Sequence, residues 1–499
     1  MKTPITILLS AALLSAAPAF ADIQAGFAER DITPEIGQER PGSYRKVFHR
    51  SFHDPCKVRV AVFADGRKKV VLVGLDALMI PRKVVLAARA EIAQQCGIPA
   101  DAVMIGASHS HSSGPVGMVL PVQYDGASAE VRRLAYEESS MADAGYLSRL
   151  TREIVQGVKV ASEACVPAEI GFGRGHEDKV QFNRRLFMKN GQTWTNAGSM
   201  NPDIVNYAGP IDPEVGVIGA WNLEGRLLGV VVNFACHPNI SAPGISANWI
   251  HPLERTIQGA LGAPVPIVFL QGACGDISQL DSLDPRERAG DWMQVVGGRV
   301  GAEAVKVLLN MARGTDVPLD ARVKTWEIKR RIPSAENLTR ARALVADGFP
   351  KLPSAQTNWT FAKETLLLDH LIATEPAVEV EVQAIQIGPL VCISNPAEYF
   401  VEYGLEIKKR SPFPFTFPVE LANGCVGYVP TEEAFGAHGG GYETRLTSYS
   451  NLEITAGRQF AETGIALASE MKPGPVPERP RIPKPGTPWQ FGNVPPQRD

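Results

Sequence analysis

Apolar runs of strand length alternate with segments of helical period along the chain, and this alternation restricts the fold to a mixed α/β class. Residues 58–63 and 70–75 flank Asp65-Gly66, a hairpin signal. Residues 81–95 begin on a proline and stop before Gly97, the asymmetry of a helix start and end. A short strand is expected at 102–105 and a helix over 146–164, and 217–221 with 227–234 bracket residues 222–225 as a second hairpin. Residues 267–270 read as a further strand and 334–346 as a capped helix. Alternation over 378–387 then leads through Gly388-Pro389 into a strand at 390–393. The expected architecture is α/β (mixed α+β), one large domain with mixed β-sheets flanked by helices.

At 499 residues the chain can bury a large core without staples. Fifty basic against fifty-three acidic side chains leave a net charge of −3, which supplies no field for nucleic acid or an anionic membrane. Lys2, the apolar residues 5–17 and Ala19-Phe20-Ala21 form a secretory signal pattern over residues 1–21, so export to the periplasm or medium is expected, with the mature chain starting near Asp22. No later stretch has the roughly 18 apolar residues of a membrane span. Seven cysteines, an odd count without a Cys-x-x-Cys pair, favour buried thiols over a cysteine metal site. Residues 22–472 are expected to form one domain. Residues 473–499 hold nine prolines and read as a Pro-rich tail.

His109-Ser110-His111 directly follows the strand expected at 102–105. Residues two apart in an extended segment face one side, so both imidazoles can reach one point beyond the strand end. Alone, such a pair is more often a hydrogen-bonded loop feature than a metal site. Three other groups share its address: His237 follows the strand at 227–234, Ser278 follows that at 267–270, and Glu398 follows that at 390–393. Ligands in α/β sheets gather beyond the carboxyl ends of strands, and His, His and Glu suit a catalytic zinc with one position open. Each has a second reading, with Glu398 capping a helix over 398–408 and Asp276 fixing a turn. No Gly-x-Ser-x-Gly, Walker A, His-Glu-x-x-His or Gly-x-Gly-x-x-Gly motif occurs, which disfavours serine esterases, nucleotide hydrolases and dinucleotide oxidoreductases.

At these residues the sequence resembles the neutral, non-lysosomal ceramidase family. The carriers, in order, are residues 26–34 with Asp31-Ile32-Thr33-Pro34; Gly106-Ala107-Ser108-His109-Ser110-His111; Asn233-Phe234-Ala235-Cys236-His237-Pro238; Gly275-Asp276-Ile277-Ser278; Pro396-Ala397-Glu398-Tyr399-Phe400; and Gly427-Tyr428-Val429-Pro430-Thr431. The resemblance spans residues 26–452. It implies one zinc held by His109, His237, Glu398 and Tyr428, with His111, Arg184, Ser278 and Tyr442 around the scissile group. His111 would accept the water's proton or hold the substrate, and Arg184 and Tyr442 would donate to the oxyanion. Ser278 would be a nucleophile or bind a substrate hydroxyl while metal-bound water attacks; the second is favoured because no base adjoins it in sequence. Asp76 is a candidate partner for an imidazole, or else a turn aspartate.

The sequence also departs from the family pattern. Val116 stands where the family has Gly, Ser278 precedes Gln279-Leu280 instead of Pro-Asn, and Arg184 precedes Arg185-Leu186 instead of Ser-Pro. The family's C-terminal immunoglobulin-like domain is expected to be missing, since 57 residues follow Tyr442. The function expected is an exported zinc-dependent amidohydrolase acting on a small or lipid-like N-acyl substrate, ceramide or another. The alternatives are an esterase or lactonase with the same zinc site, and a non-catalytic exported binding protein on that scaffold.

Overall fold

A computed structural model describes residues 23–284, 291–479, 486, 491 and 494–499; the expected signal peptide lies outside these residues, and so does part of the Pro-rich tail. The hairpins and caps form where expected. Lys57–Ala64 pairs with Lys69–Leu75 around a turn in which Asp65 Oδ1 accepts the N–H groups of Arg67 and Lys68 at 2.9 and 2.7 Å. The helix Arg82–Cys96 ends at Gly97 with φ 65°. Asp143 caps Ala144–Glu163 through the Tyr146 N–H, and Ser334 caps Ala335–Ala346 through Asn337 N–H.

The main sheet has nine strands, in the spatial order Ile267–Gln271, Leu227–Phe234, Glu214–Asn222, Val166–His176, Gln24–Asp31, Lys57–Ala64, Lys69–Leu75 and Val103–Ala107, with Arg313–Gly314 added against Val166–His176. Among the described residues its two halves pair through Gln24 opposite Pro167 and Ala25 opposite Val166, with the Ala168 N–H on Ile23 O at 2.9 Å. The sheet folds back there, so that Ile267–Gln271 crosses Lys69–Leu75 closely: a Cβ on Gly74 would lie 2.4 Å from the Phe269 carbonyl oxygen. Five antiparallel pairings separate Val103–Ala107 from Leu227–Phe234, so these strands run in opposite senses along the sheet. Their carboxyl ends meet because the sheet is folded, and not because they share one edge.

A four-stranded sheet, ordered Leu319–Lys329, Ala377–Ile387, Leu390–Ser394 and Phe415–Val419, supplies the staple. Beyond its last strand the Glu420 N–H reaches the Gln271 carbonyl at 3.0 Å, and Leu421 O accepts the Ala107 N–H at 3.1 Å. Asn423 exchanges bonds with Ile105, 2.8 Å from main chain to main chain and 2.9 Å through its side chain. Strand ends from both halves of the main sheet are thereby tied to one segment, which also takes the Asn395 N–H on Val419 O at 2.9 Å.

One expectation changes. The helix expected from Glu398 starts at Val401, because the Glu398 N–H is claimed by Gly427 O at 2.9 Å and Glu398–Tyr399 pairs in parallel with Tyr428–Val429. Asp276 Oδ1 then accepts the Val401 N–H at 2.9 Å. The helices Trp292–Asn310 and Pro353–Thr374 carried no readable stripe. Glycines break the first pattern, yet Gly297 is where the helix meets Trp249 O, 2.2 Å from a built Cβ. In the second, Lys363 and Glu364 sit on the buried face as a 3.1 Å ion pair. Among the described residues no helix is long and apolar enough to cross a membrane.

Candidate active site

His109 lies just past Val103–Ala107 with φ 69°, a left-handed residue that turns the chain inward. His237 follows Leu227–Phe234, and Glu398 arrives on its short strand beside Tyr428. The Nδ1 atoms of His109 and His237 face the main-chain oxygens of Leu78 and Cys274 at 2.8 and 2.7 Å. A carbonyl only accepts, so Nδ1 carries the hydrogen and each Nε2 presents its lone pair to the centre. There Glu398 Oε2 stands 3.1 Å from His109 Nε2 and 3.2 Å from His237 Nε2. Among the described residues it is a buried acceptor with no hydrogen-bonded partner. His111 Nε2 approaches His109 Nε2 at 3.2 Å, and the donor atoms of all three histidines lie within 4.8 Å of one another.

The electrostatics follow from enclosure. Burial, reinforced by Arg184, brings His237 down to about 4. Burial and then the neighbouring imidazoles hold His111 well below its ordinary value. For His109 burial is outweighed by the Glu398 carboxylate, which raises it, and the imidazoles hold Glu398 well below the usual carboxylate range against its own burial. Converging imidazole nitrogens, a carboxylate oxygen between them and carbonyl-fixed tautomers could hold a metal ion, and the residues present fit one.

Seven of the eight sequence candidates surround this point. Arg184 Nη1 is 3.4 Å from His237 Nε2, and its Nη2 donates to Tyr428 Oη at 3.1 Å and to Gly275 O at 2.8 Å. Tyr442 packs edge-on to Tyr428 with centroids 5.3 Å apart. Ser278 lies alongside: Ile277–Ser278 pairs with Phe182–Asn183, immediately before Arg184, and the Ile277 carbonyl faces the His237 N–H at 3.4 Å. Among the described residues its hydroxyl accepts the Leu280 N–H alone, at 3.3 Å. Asp76 is no imidazole partner. It takes Arg59 Nη1 at 2.7 Å and the Lys57 N–H at 2.8 Å, because Arg59, buried under the same sheet, needs a counter-charge.

Several residues went unread. Tyr449 donates to Glu398 Oε1 at 2.7 Å, and Glu443 holds Arg184 Nε at 2.8 Å. Tyr44 meets the Tyr442 hydroxyl at 3.3 Å, and Gly42 sits so near His111 that a Cβ would be 2.4 Å from Nδ1. Glu420 accepts the N–H groups of Cys274 and Tyr399 at 3.0 and 2.8 Å; burial pushes its carboxyl up to about 8. These side chains stand in loops or turns without a spacing rule, so no local pattern could have marked them.

The folded sheet that gathers these strand ends is a fold shared with solved ceramidases. The chain superimposes on a solved ceramidase complexed with C2 at a TM-score of 0.68, with 19% identity over 93% of this chain and 77% of that one. A solved neutral ceramidase from Pseudomonas aeruginosa gives 0.65, with 20% identity over 92% and 77%. In sequence the chain is similar to the neutral ceramidase of Pseudomonas aeruginosa, 24% identical over 544 aligned positions that cover 93% of this chain and 76% of the relative. No family model matches. The resemblance to the neutral ceramidase family seen in six motifs thus extends along nearly the whole chain.

Proposed function

We propose that this protein is a zinc-dependent amidohydrolase that cleaves a linear N-acyl amide. The observation that carries the reading is Glu398 Oε2, buried, without a hydrogen-bonded partner among the described residues and flanked at 3.1 and 3.2 Å by two imidazole Nε2 atoms. His109, His237 and Glu398 would hold the ion, with Tyr428 beside Glu398. Zinc bound there supplies a Lewis acid for the carbonyl and an activated water.

The chain's own groups take the remaining work. Arg184, fixed by Glu443, and Tyr442 donate to the oxygen that becomes negative. His111, kept neutral by burial, accepts a proton or holds the substrate. Ser278 is assigned to substrate binding, because among the described residues no imidazole or carboxylate bonds its hydroxyl. Similarity to neutral ceramidase makes ceramide one substrate to test beside shorter N-acyl amides. Export belongs to the same proposal, and amino-terminal sequencing of the mature protein checks it: a chain retaining residues 1–21 refutes it.

The decisive experiment assays metal content together with hydrolysis of ceramides, simple N-acyl amides and esters, with Glu398→Gln as control. About one zinc per chain and amide cleavage lost in the variant are expected. Full hydrolysis by metal-free protein would sink the reading, ester cleavage alone would support an esterase, and zinc without turnover would support a binding protein.

A further inference from the structure

Outside the histidine cluster the site is rimmed by three rings. Tyr44, Phe361 and Tyr442 pack with centroids 5.6, 6.3 and 6.4 Å apart, and Tyr442 leans on Tyr428. Phe361 comes from the helix Pro353–Thr374, Tyr44 from the loop that places Gly42 on His111, and Tyr442 from the turn Tyr442–Thr444. Over the outer face of this trio lies Arg445, its guanidinium carbon 3.3 Å from the Phe361 ring centre. Its main-chain N–H bonds Tyr442 O at 3.2 Å, which holds the backbone at Arg445 one turn from a residue of the site.

Among the described residues this guanidinium has no carboxylate and no hydrogen-bond acceptor. Burial lowers its pKa, and the groups that counter this are the hydroxyls of Tyr44 and Tyr442. The carboxylate one turn along from Phe361, Glu364, is already engaged by Lys363 at 3.1 Å and by Ser448. Arg445 is an exposed residue, and the ring face beneath it leaves the planar fork of N–H donors at its edge turned to solvent with no protein acceptor among the described residues. Such a fork matches an oxyanion in a bidentate manner, and a hydroxylated neutral head group offers it no charge.

We infer that Arg445 receives an anionic group of the substrate, so that the amides cleaved here carry a carboxylate or phosphate several bonds from the scissile carbonyl. This rests on the amidohydrolase reading. It makes the rim Tyr44–Phe361–Tyr442 the wall along which that part of the substrate lies, and it sets this protein's substrates apart from neutral N-acyl lipids.

The test measures kcat/KM of the zinc-loaded full chain for N-octanoylglycine and N-octanoylethanolamine, equal acyl chains ending in a carboxylate or a hydroxyl. The expected ratio favours the glycine conjugate, falls about tenfold in Arg445→Gln through KM and not kcat, and partly recovers in Arg445→Lys. A ratio that Arg445→Gln leaves in place overturns the assignment, and so does a loss shared by both substrates. N-octanoyl-O-phosphoethanolamine separates the two anions: the substrate whose KM depends more on Arg445 identifies the group. Calorimetric binding of two uncleavable ethers, (octyloxy)acetate and 2-(octyloxy)ethanol, keeps the inference distinct from the reading beneath it. An Arg445-dependent preference for the acid without any amide cleavage retains the anion subsite and sinks the hydrolase. Amide cleavage with equal binding of the two ethers sinks the subsite alone.

Discussion

Tyr449 donates its phenolic hydrogen to Glu398 Oε1 at 2.7 Å, which leaves Oε2 alone turned toward His109 and His237. The carboxylate is thereby divided into one oxygen held by the protein and one presented to the centre. Partners that orient a ligating group typically influence metal affinity 10- to 100-fold.

Tyr449→Phe removes that hydrogen bond and keeps the ring that packs on Tyr428 with centroids 6.2 Å apart. Zinc affinity should fall about tenfold, while the melting temperature of the chelator-treated protein changes little. Competition with a chromophoric chelator measures the first and calorimetry the second. A variant with undiminished zinc affinity would show that Glu398 is oriented by its strand pairing with Tyr428 alone.

The two histidines of His109-Ser110-His111 should separate by experiment. His109 points at Glu398 Oε2 with its tautomer fixed by Leu78 O, whereas Nε2 of His111 approaches His109 itself. His109→Ala is expected to lose both zinc and turnover. His111→Ala should keep zinc and lose turnover by about 10²–10⁴-fold, the range of a general acid-base group. Zinc lost equally from both variants would make His111 a ligand in its own right.

Legibility in the sequence followed the strand ends. His109, His237 and Glu398 could be placed because each follows an apolar run that stops abruptly. That Val103–Ala107 and Leu227–Phe234 point opposite ways, and meet only because the sheet folds at Gln24 and Ala25, is a tertiary fact without local trace. The partner of Asp76 stayed open in the sequence for a related reason, since a buried aspartate takes the nearest cation, and Arg59 reaches it from the paired strand. Tyr44 and Tyr449 reach the site from irregular segments. Phe361 arrives on a helix whose inward face carries Lys363, bonded to Tyr44 O at 2.6 Å and Ser139 Oγ at 2.7 Å, so hydrophobic period alone conceals it.

Gly42 offers a test of the loop that closes over the cluster. Its φ is 92°, in the left-handed half of conformational space, and a Cβ would lie 2.4 Å from His111 Nδ1. Gly42→Ala should therefore displace His111 or the loop, at a cost of about 1–3 kcal/mol in stability, and reduce kcat with zinc content intact. Urea unfolding and metal analysis check the two halves. A variant with unchanged kcat would mean that His111 moves freely and is not held by this loop.

Glu402, in the helix Val401–Arg410, gives a stability test away from the cluster. Burial, and then the charge of Asp276, push its carboxyl up to about 7, and among the described residues Oε2 has no hydrogen-bonded partner. A carboxyl with a raised folded pKa binds its proton more tightly in the folded chain than in the unfolded one. Its contribution is therefore complete below the ordinary value of 4.5 and is lost as pH rises through about 7. Glu402→Gln removes the charge at nearly constant shape, so the variant should gain on the unsubstituted chain as pH rises, reaching about 1–3 kcal/mol at pH 8. Urea unfolding of both proteins at pH 5 and pH 8 measures this. An equal stability difference at the two pH values would show that Glu402 is solvated well enough to ionise without cost.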